Sequence, residues 1–279
     1  MIRSDQFYMK ENEHKRKLTT SRDILLNVAL NPHNPKFFSL PQHDVLRAKI
    51  FRSENNNKQK KFIRYKRGTI VFIHFGINTG TEFSNSHFGI VLDKDDHPKQ
   101  GKLTILPLTS KSGKQNISIG KAIFSGIMND AEIQVKKMQE ILNMTFDLER
   151  LHYSLPKPPS HFHMRENHPN YKDWHEYYNR HDPDGKHIPV ANVTIKQWIQ
   201  SDLDKINHLK KLYQNYNKVS YAKIDSITSV SKLKIAKPIN DLDPIGKIQL
   251  SKETMDEIDQ ALARKLLSGP WRRVDKQTE

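Results

Sequence analysis

Residues 64–111, RYKRGTIVFIHFGINTGTEFSNSHFGIVLDKDDHPKQGKLTILPLTSK, decide the fold. Three apolar-rich runs lie within them, at 69–75, 88–92 and 103–108. Short runs rich in Ile, Val, Phe and Thr, bounded by Gly, Asn, Asp and Pro, favour strands over helical turns. The predicted unit is a small meander of buried or half-buried strands. Its polar groups collect where strands end: a Gly-bearing loop follows the first, His87 stands at the mouth of the second, and Thr109, Ser110 and Lys111 close the third.

Upstream, residues 1–63 form a basic, Asn-rich extension, with short helices expected at 22–30 and 45–51 on either side of NPHNPKFFSLPQ. The run NNNKQKK at 55–61 has no apolar residue and reads as a solvated linker. Downstream, NISIGKAIF at 116–124 alternates well enough for a fourth strand, so the first strand-rich segment spans 64–125.

Residues 126–217 change period. Ile127, Ala131, Val135, Met138, Ile141, Leu142, Thr145, Leu148 and Leu151 recur mostly three and four apart, which lines one face of a long helix. Thr194 and Gln197 have the spacing of a capping box, and Trp198, Ile199, Leu203, Ile206, Leu209, Leu212 and Tyr216 continue a second apolar face. The two faces are expected to pack on each other as a helical hairpin. Between them, 154–189 carries six of the fourteen prolines and is expected to wander without a long helix.

Strand character returns at 218–250. A last helix is capped by Ser251, carries the stripe Met255, Ile258, Leu262 and Leu266, and stops at Gly269-Pro270. Residues 218–269 thus complete what 64–125 begins, and 270–279 form a tail. The expected class is α+β, a strand-built domain interrupted by a helical-hairpin insertion.

Composition narrows the partners. Forty-six Lys and Arg stand against 31 Asp and Glu in 279 residues, for a formal net charge of +15 and a pI near 9.7. That excess favours polyanions, because basic side chains at phosphates release counterions and steer association. Lysines also serve solubility alone, so charge by itself does not choose between the two. The absence of cysteine excludes disulfides, thiolate metal sites and cysteine nucleophiles. The first eighteen residues lack an apolar core long enough for a signal peptide, and no later run has the length of a membrane span. A cytoplasmic protein without a membrane partner is expected.

Taken in order, RGTIVFIHF, GTEF, SHFGIVL, ILPLTSK, SYAKIDSITSVSKLKIAKPI and DEIDQALARKLL resemble the MazF/PemK family of toxin endoribonucleases. The family pattern opens with Arg-Gly and an acid before the first strand, here Arg67-Gly68-Thr69. Gly-Ser/Thr-Glu follows in the next loop, here Gly80-Thr81-Glu82, and a Thr ends the third strand, here Thr109. Val230 to Lys232 match its Val-x-Lys, and Ile258 to Leu262 its Val/Ile-Asp-x-Ala-Leu helix. The similarity covers 64–124 and 218–267, well under half of the chain. It implies an SH3-like barrel of strongly bent antiparallel strands with a C-terminal helix, in a homodimer. It also implies cleavage of single-stranded RNA without metal or cofactor, restrained by a cognate antitoxin protein.

Metal-free RNA cleavage needs a base for the ribose 2′-OH, an acid for the departing 5′-oxygen, and donors for the crowded phosphate. The resemblance gives the hydroxyl role to Thr109, with Glu82, Ser110, Lys111 and Arg67 as substrate-binding residues. The family's Arg is missing: His87 stands at its position and Phe88 where Pro is usual. An imidazole exchanges protons near neutrality more readily than a guanidinium, but is a poorer permanent cation. His87 is read either as the proton-exchanging group or as a residue that merely ends a strand. The second reading leaves a protein that binds RNA or DNA, or regulates, without cutting.

Local readings compete at the other positions too. A β-branched Thr suits a strand end, Glu82 a turn, Lys111 a solvated surface, and His74 a strand position of structural or surface type. Seven of the fourteen histidines lie at 152–187, with His161 and His163 two apart and Asp182 and Asp184 nearby. Imidazole and carboxylate suit zinc or nickel, yet these spacings fit no helical pair, so no metal site is expected. The aromatics among them, Phe162, Tyr171, Trp174, Tyr177 and Tyr178, suit packing or stacking on bases.

Overall fold

The structure, a computed structural model, describes residues 11–55, 61–153, 171–184 and 192–267. The chain divides into two compact units, one gathering 1–119, 221–237 and 249–279, the other 120–220 and 238–248.

In the first unit, β1 (Ile70–Gly76), β2 (Asn85–Val91) and β3 (Lys102–Thr109) form the meander expected from the three apolar runs. β1 pairs antiparallel with β2, Ile73 opposite His87, and β2 with β3, Gly89 opposite Pro107. β3 holds two more partners: β6 (Thr228–Ser231) over 102–105 and β5 (Tyr221–Ala222) over 108–109. β5 in turn pairs with β4 (Ile117–Ser118). Past β6 the chain returns to β1, where Ile235 bridges Ile73 and the Ala236 N–H donates to the Phe72 carbonyl at 2.9 Å. A six-stranded antiparallel sheet with helices results, an α+β architecture.

Val71, Ile73, Phe75, Val91, Leu103, Ile105 and Val230 share one core with Tyr65, against which Phe83 and Ile235 pack. Gly89 belongs to this crowding. A Cβ there would come within 2.5 Å of Ile105 Cγ2 and 2.9 Å of Ile73 Cδ1, so only hydrogen fits between the strands. Gly89→Ala is expected to destabilise the unit by about 1–3 kcal/mol, the usual cost of overpacking. An unchanged denaturation midpoint would show that the sheet yields there freely.

The N-terminal helices are longer than their apolar runs suggested. α1 (Glu11–Ala29) and α2 (Leu40–Asn55) recruit flanking Lys, Arg and Glu, which have good helix propensity but no apolar signature. α2 packs on β1, Ser39 Oγ donates to Asn85 Oδ1 at 2.7 Å, and Lys36 Nζ donates to the Gly80 carbonyl at 2.7 Å. The extension is therefore docked on the sheet of its own unit. At the other end, α6 (Lys252–Leu266) starts as expected: Ser251 Oγ accepts the Thr254 N–H at 3.3 Å. Met255 and Ile258 are buried, whereas Leu266, the last of the predicted stripe, is exposed. The Gly269-Pro270 stop lies outside the described residues.

The second unit corrects several expectations. The fourth strand, which belongs to the first unit, spans only Ile117–Ser118; the chain turns at 119–121, and α3 (Ala122–Tyr153) takes 122–124 of the segment read as strand. Ile123, Ile127 and Ala131 are buried four residues apart, so the helical period claims them. α3 packs on α5 (Asn192–Tyr213), with Ile195, Ile199, Ile206 and Leu209 buried. The helical pairing is thus present, but Thr194 lies two residues inside α5 rather than at its cap, and Leu212 is exposed. The stretch expected to wander contains α4 (Tyr171–His181). Its prolines stand outside those eleven residues, and Trp174, Tyr177 and Tyr178, three and four apart, are buried. No helix among the described residues is long and apolar enough to cross a membrane.

Candidate functional site

Strand register places His87 and Thr109. The β2–β3 ladder joins Gly89 to Pro107, Ile90 to Leu106 and Val91 to Ile105. Carried two residues further, the same register sets His87 opposite Thr109. Opposed residues of an antiparallel pair share a face, with Cβ atoms about 4.5–5.5 Å apart. The His87–Thr109 step lies just past the end of the paired ladder, and each residue has a neighbour on its far side: Ile73 for His87, Tyr221 for Thr109. Tyr221 in turn faces Ser118. Extending the β2–β3 register over that step lines up Ile73, His87, Thr109, Tyr221 and Ser118 in one row. Exposure rises along it, from fully buried Ile73 through half-buried His87, Thr109 and Tyr221 to exposed Ser118.

The His87 ring lies against Phe83, centroids 4.6 Å apart. Burial pushes its pKa below the ordinary 6.5, opposed in part by a backbone hydrogen bond at Ser84. The imidazole is consequently neutral near pH 7, a form that accepts a proton but supplies no standing positive charge.

Thr109 Oγ1 accepts the Lys111 N–H at 3.2 Å, which shapes the turn after β3 and leaves the hydroxyl proton able to donate. Ser110 and Lys111 are exposed on that turn, and Asn116 Nδ2 donates to the Lys111 carbonyl at 3.2 Å. Glu82 is exposed in the loop before β2, its N–H donating to the Thr79 carbonyl at 3.1 Å and its own carbonyl accepting from Ser84 Oγ at 3.1 Å. Arg67 is engaged elsewhere: its guanidinium pairs with Asp259 and ties α6 to the start of β1. His74 Nδ1 lies 2.8 Å from Ser86 Oγ across the β1–β2 ladder, as a structural reading requires.

The sequence reading missed Tyr221 and Phe83 as neighbours of these groups, and it missed a buried ion pair. Lys232 Nζ lies 2.6 and 2.7 Å from the two Asp96 oxygens, the side chains 2% and 0% exposed. Asp96 also accepts the Tyr65 N–H at 2.8 Å, and Lys232 donates to the Ile63 carbonyl at 3.0 Å. The Lys of the Val-x-Lys match is therefore a buried structural cation.

In the second unit, fully buried Asp202 accepts from Arg180, from His181 Nε2 at 2.9 Å and from Lys205 at 3.1 Å. Burial pushes its pKa up, but His181, Arg180 and Lys205 together pull it below the ordinary carboxylate value. His181 stacks on Trp198 at 5.0 Å, and Tyr178 donates to Asp182 at 2.7 Å; burial, reinforced by the Asp182 carboxylate, pushes the phenol up to about 12. Trp174, Tyr177 and Tyr178 are buried, so their rings pack rather than offer faces to bases. No group of three or more potential metal ligands occurs among the described residues, and His161, His163 and Phe162 lie outside them. No family model matches the sequence, and no curated protein matches it significantly.

Proposed function

We propose that this chain is a metal-independent endoribonuclease of the MazF/PemK type, a cytoplasmic toxin that acts on single-stranded RNA as a homodimer and is restrained by a cognate antitoxin. The observation that carries the reading is the row in which register aligns half-buried His87 with Thr109. The finer fold reading goes with it: an SH3-like barrel, supported by the Ile73–Ile235 bridge, into which the helical unit is inserted.

In this reading neutral His87 takes the ribose 2′-OH proton. The 2′-oxygen attacks phosphorus, the bond to the 5′-oxygen breaks, that oxygen takes a proton from solvent, and a 2′,3′-cyclic phosphate remains. The Thr109 hydroxyl and Lys111 donate to the phosphate, Ser110 and Glu82 border the bound strand, and Tyr221 extends the row beneath it. Arg67 contributes by seating α6.

A base held neutral by burial gives a distinctive pH profile. Activity requires the unprotonated ring, so kcat/KM for RNA should be flat across neutrality and fall only below pH 6.5. An acid limb above that value would contradict the assignment. The same shift bears on stability: the unfolded chain binds the proton more readily, so this contribution is present above pH 6.5 and is lost as pH falls through the depressed folded-state value.

A second reading rests on Thr109, whose Oγ1 is already used by the Lys111 N–H, and on the missing family Arg. The row would then be one wall of a nucleic-acid-binding or regulatory protein that does not cut. Induced expression in bacteria without any partner separates the two. Growth arrest that His87→Ala relieves is expected. Normal growth with soluble protein present, together with salt-dependent RNA or DNA binding and no product, would favour the binder.

A further inference from the structure

A basic cleft distinct from the His87–Thr109 pair lies between α2, residues 61–65 and residues 232–237 of the first unit, its Ile235 bridging Ile73 at the buried end of the row. Its volume is about 530 Å³, within the roughly 300–1,000 Å³ of small-molecule sites. Three exposed lysines, Lys49, Lys61 and Lys237, line it, and no Asp or Glu does. Among the described residues no carboxylate lies within ion-pairing distance of any of the three. The fourth lysine, Lys232, sits in the floor and is neutralised by Asp96, so the floor carries no net charge. Ile50, Ile63 and Leu233 supply apolar wall between the amines, with Ile63 60% exposed.

Cations with no carboxylate partner among the described residues, set at the rim of an apolar slot, select a ligand with both a dense anion and a flat apolar body. We propose that this cleft is a nucleotide site. Lys49, Lys61 and Lys237 take the phosphate, and the isoleucine and leucine side chains take the base and ribose. An acidic peptide would meet the charges but leave the apolar walls poorly used, so the nucleotide is favoured. Both a free mononucleotide and one nucleotide of a single RNA strand carry the required chemistry. The site does not depend on catalysis at His87.

The test uses the full chain, AMP, and a short 2′-O-methyl oligonucleotide, which lacks the attacking hydroxyl and stays intact whether or not the protein is a nuclease. The lysines are acetylated with and without each ligand and read by mass spectrometry, while oligonucleotide binding is followed by fluorescence anisotropy over a range of salt. Lys49, Lys61 and Lys237 are expected to be protected at least about threefold. The triple variant Lys49→Gln, Lys61→Gln, Lys237→Gln should bind at least about tenfold more weakly at low salt. Its log–log salt slope should shrink by about one unit per lysine that contacts phosphate. A charge-matched control, Lys94→Gln, Lys99→Gln, Lys102→Gln, removes three exposed lysines outside the cleft and should change binding less than about threefold. Protection by AMP identifies the free nucleotide as sufficient; protection by the oligonucleotide alone identifies the strand. Equal weakening by both triples, or protection by polyglutamate with none from either nucleotide ligand, overturns the proposal.

Discussion

Replacing His87 by alanine is expected to slow cleavage of single-stranded RNA by about 10²–10⁴-fold, the range lost with a general base. The ring is half-buried against Phe83, so alanine also removes packing, and a fall in activity alone would be ambiguous. His87→Gln resolves this. It keeps a side chain of similar reach and hydrogen-bonding capacity but cannot titrate in the relevant range, so it should be comparably slow while unfolding at nearly the parent midpoint. It should also lack the acid limb expected of the parent. A glutamine variant with parent activity would assign His87 to the fold and leave the row without its base.

The largest stability effect is expected from Asp96→Asn, at about 3–5 kcal/mol, because it leaves a buried ammonium without its counter-charge. Lys232 Nζ is held by both Asp96 oxygens, and its side chain is only 2% exposed. The amide oxygen of Asn can accept a hydrogen bond but cannot neutralise the charge, and water cannot readily take over. Lys232→Met removes the charge along with the bond. The double variant Asp96→Asn, Lys232→Met should therefore recover much of the loss, since no uncompensated buried charge remains and the amide oxygen can still accept the Tyr65 N–H. Urea unfolding of the four proteins checks this. A cost below about 1 kcal/mol for Asp96→Asn would mean that the ammonium reaches solvent.

Local pattern made β1, β2, β3 and α6 legible, because each combines a clear period with a turn or cap at its end. It failed where two periods fit one segment. Ile119 and Ile123 suit a strand ending at Phe124, yet Ile123 with Ile127 and Ala131 suits a helix, and the helix prevails. α4 carried a helical signal in Trp174, Tyr177 and Tyr178, but the surrounding prolines outweighed it in the reading.

The candidate site was legible as residue types and not as geometry. His87 and Thr109 are brought into one row by the register of β2 on β3, and the ten residues between those strands do not dictate register as a two-residue turn would. Arg67 shows the same limit: its partner Asp259 lies 192 positions away, so a charge suited to phosphate is taken by the fold. Lys232 and Asp96, 136 positions apart, are paired in a way that no local pattern announces.

Everything proposed for the row depends on cleavage through the 2′-hydroxyl without a metal. Purified protein in excess EDTA should therefore be given a single-stranded RNA and the all-deoxy strand of the same sequence, and the new ends of each product identified. The expected result is cleavage of the RNA alone, leaving a 2′,3′-cyclic phosphate and a 5′-hydroxyl. Cutting of the deoxy strand, a 5′-phosphate on the product, or an intact RNA would contradict the account.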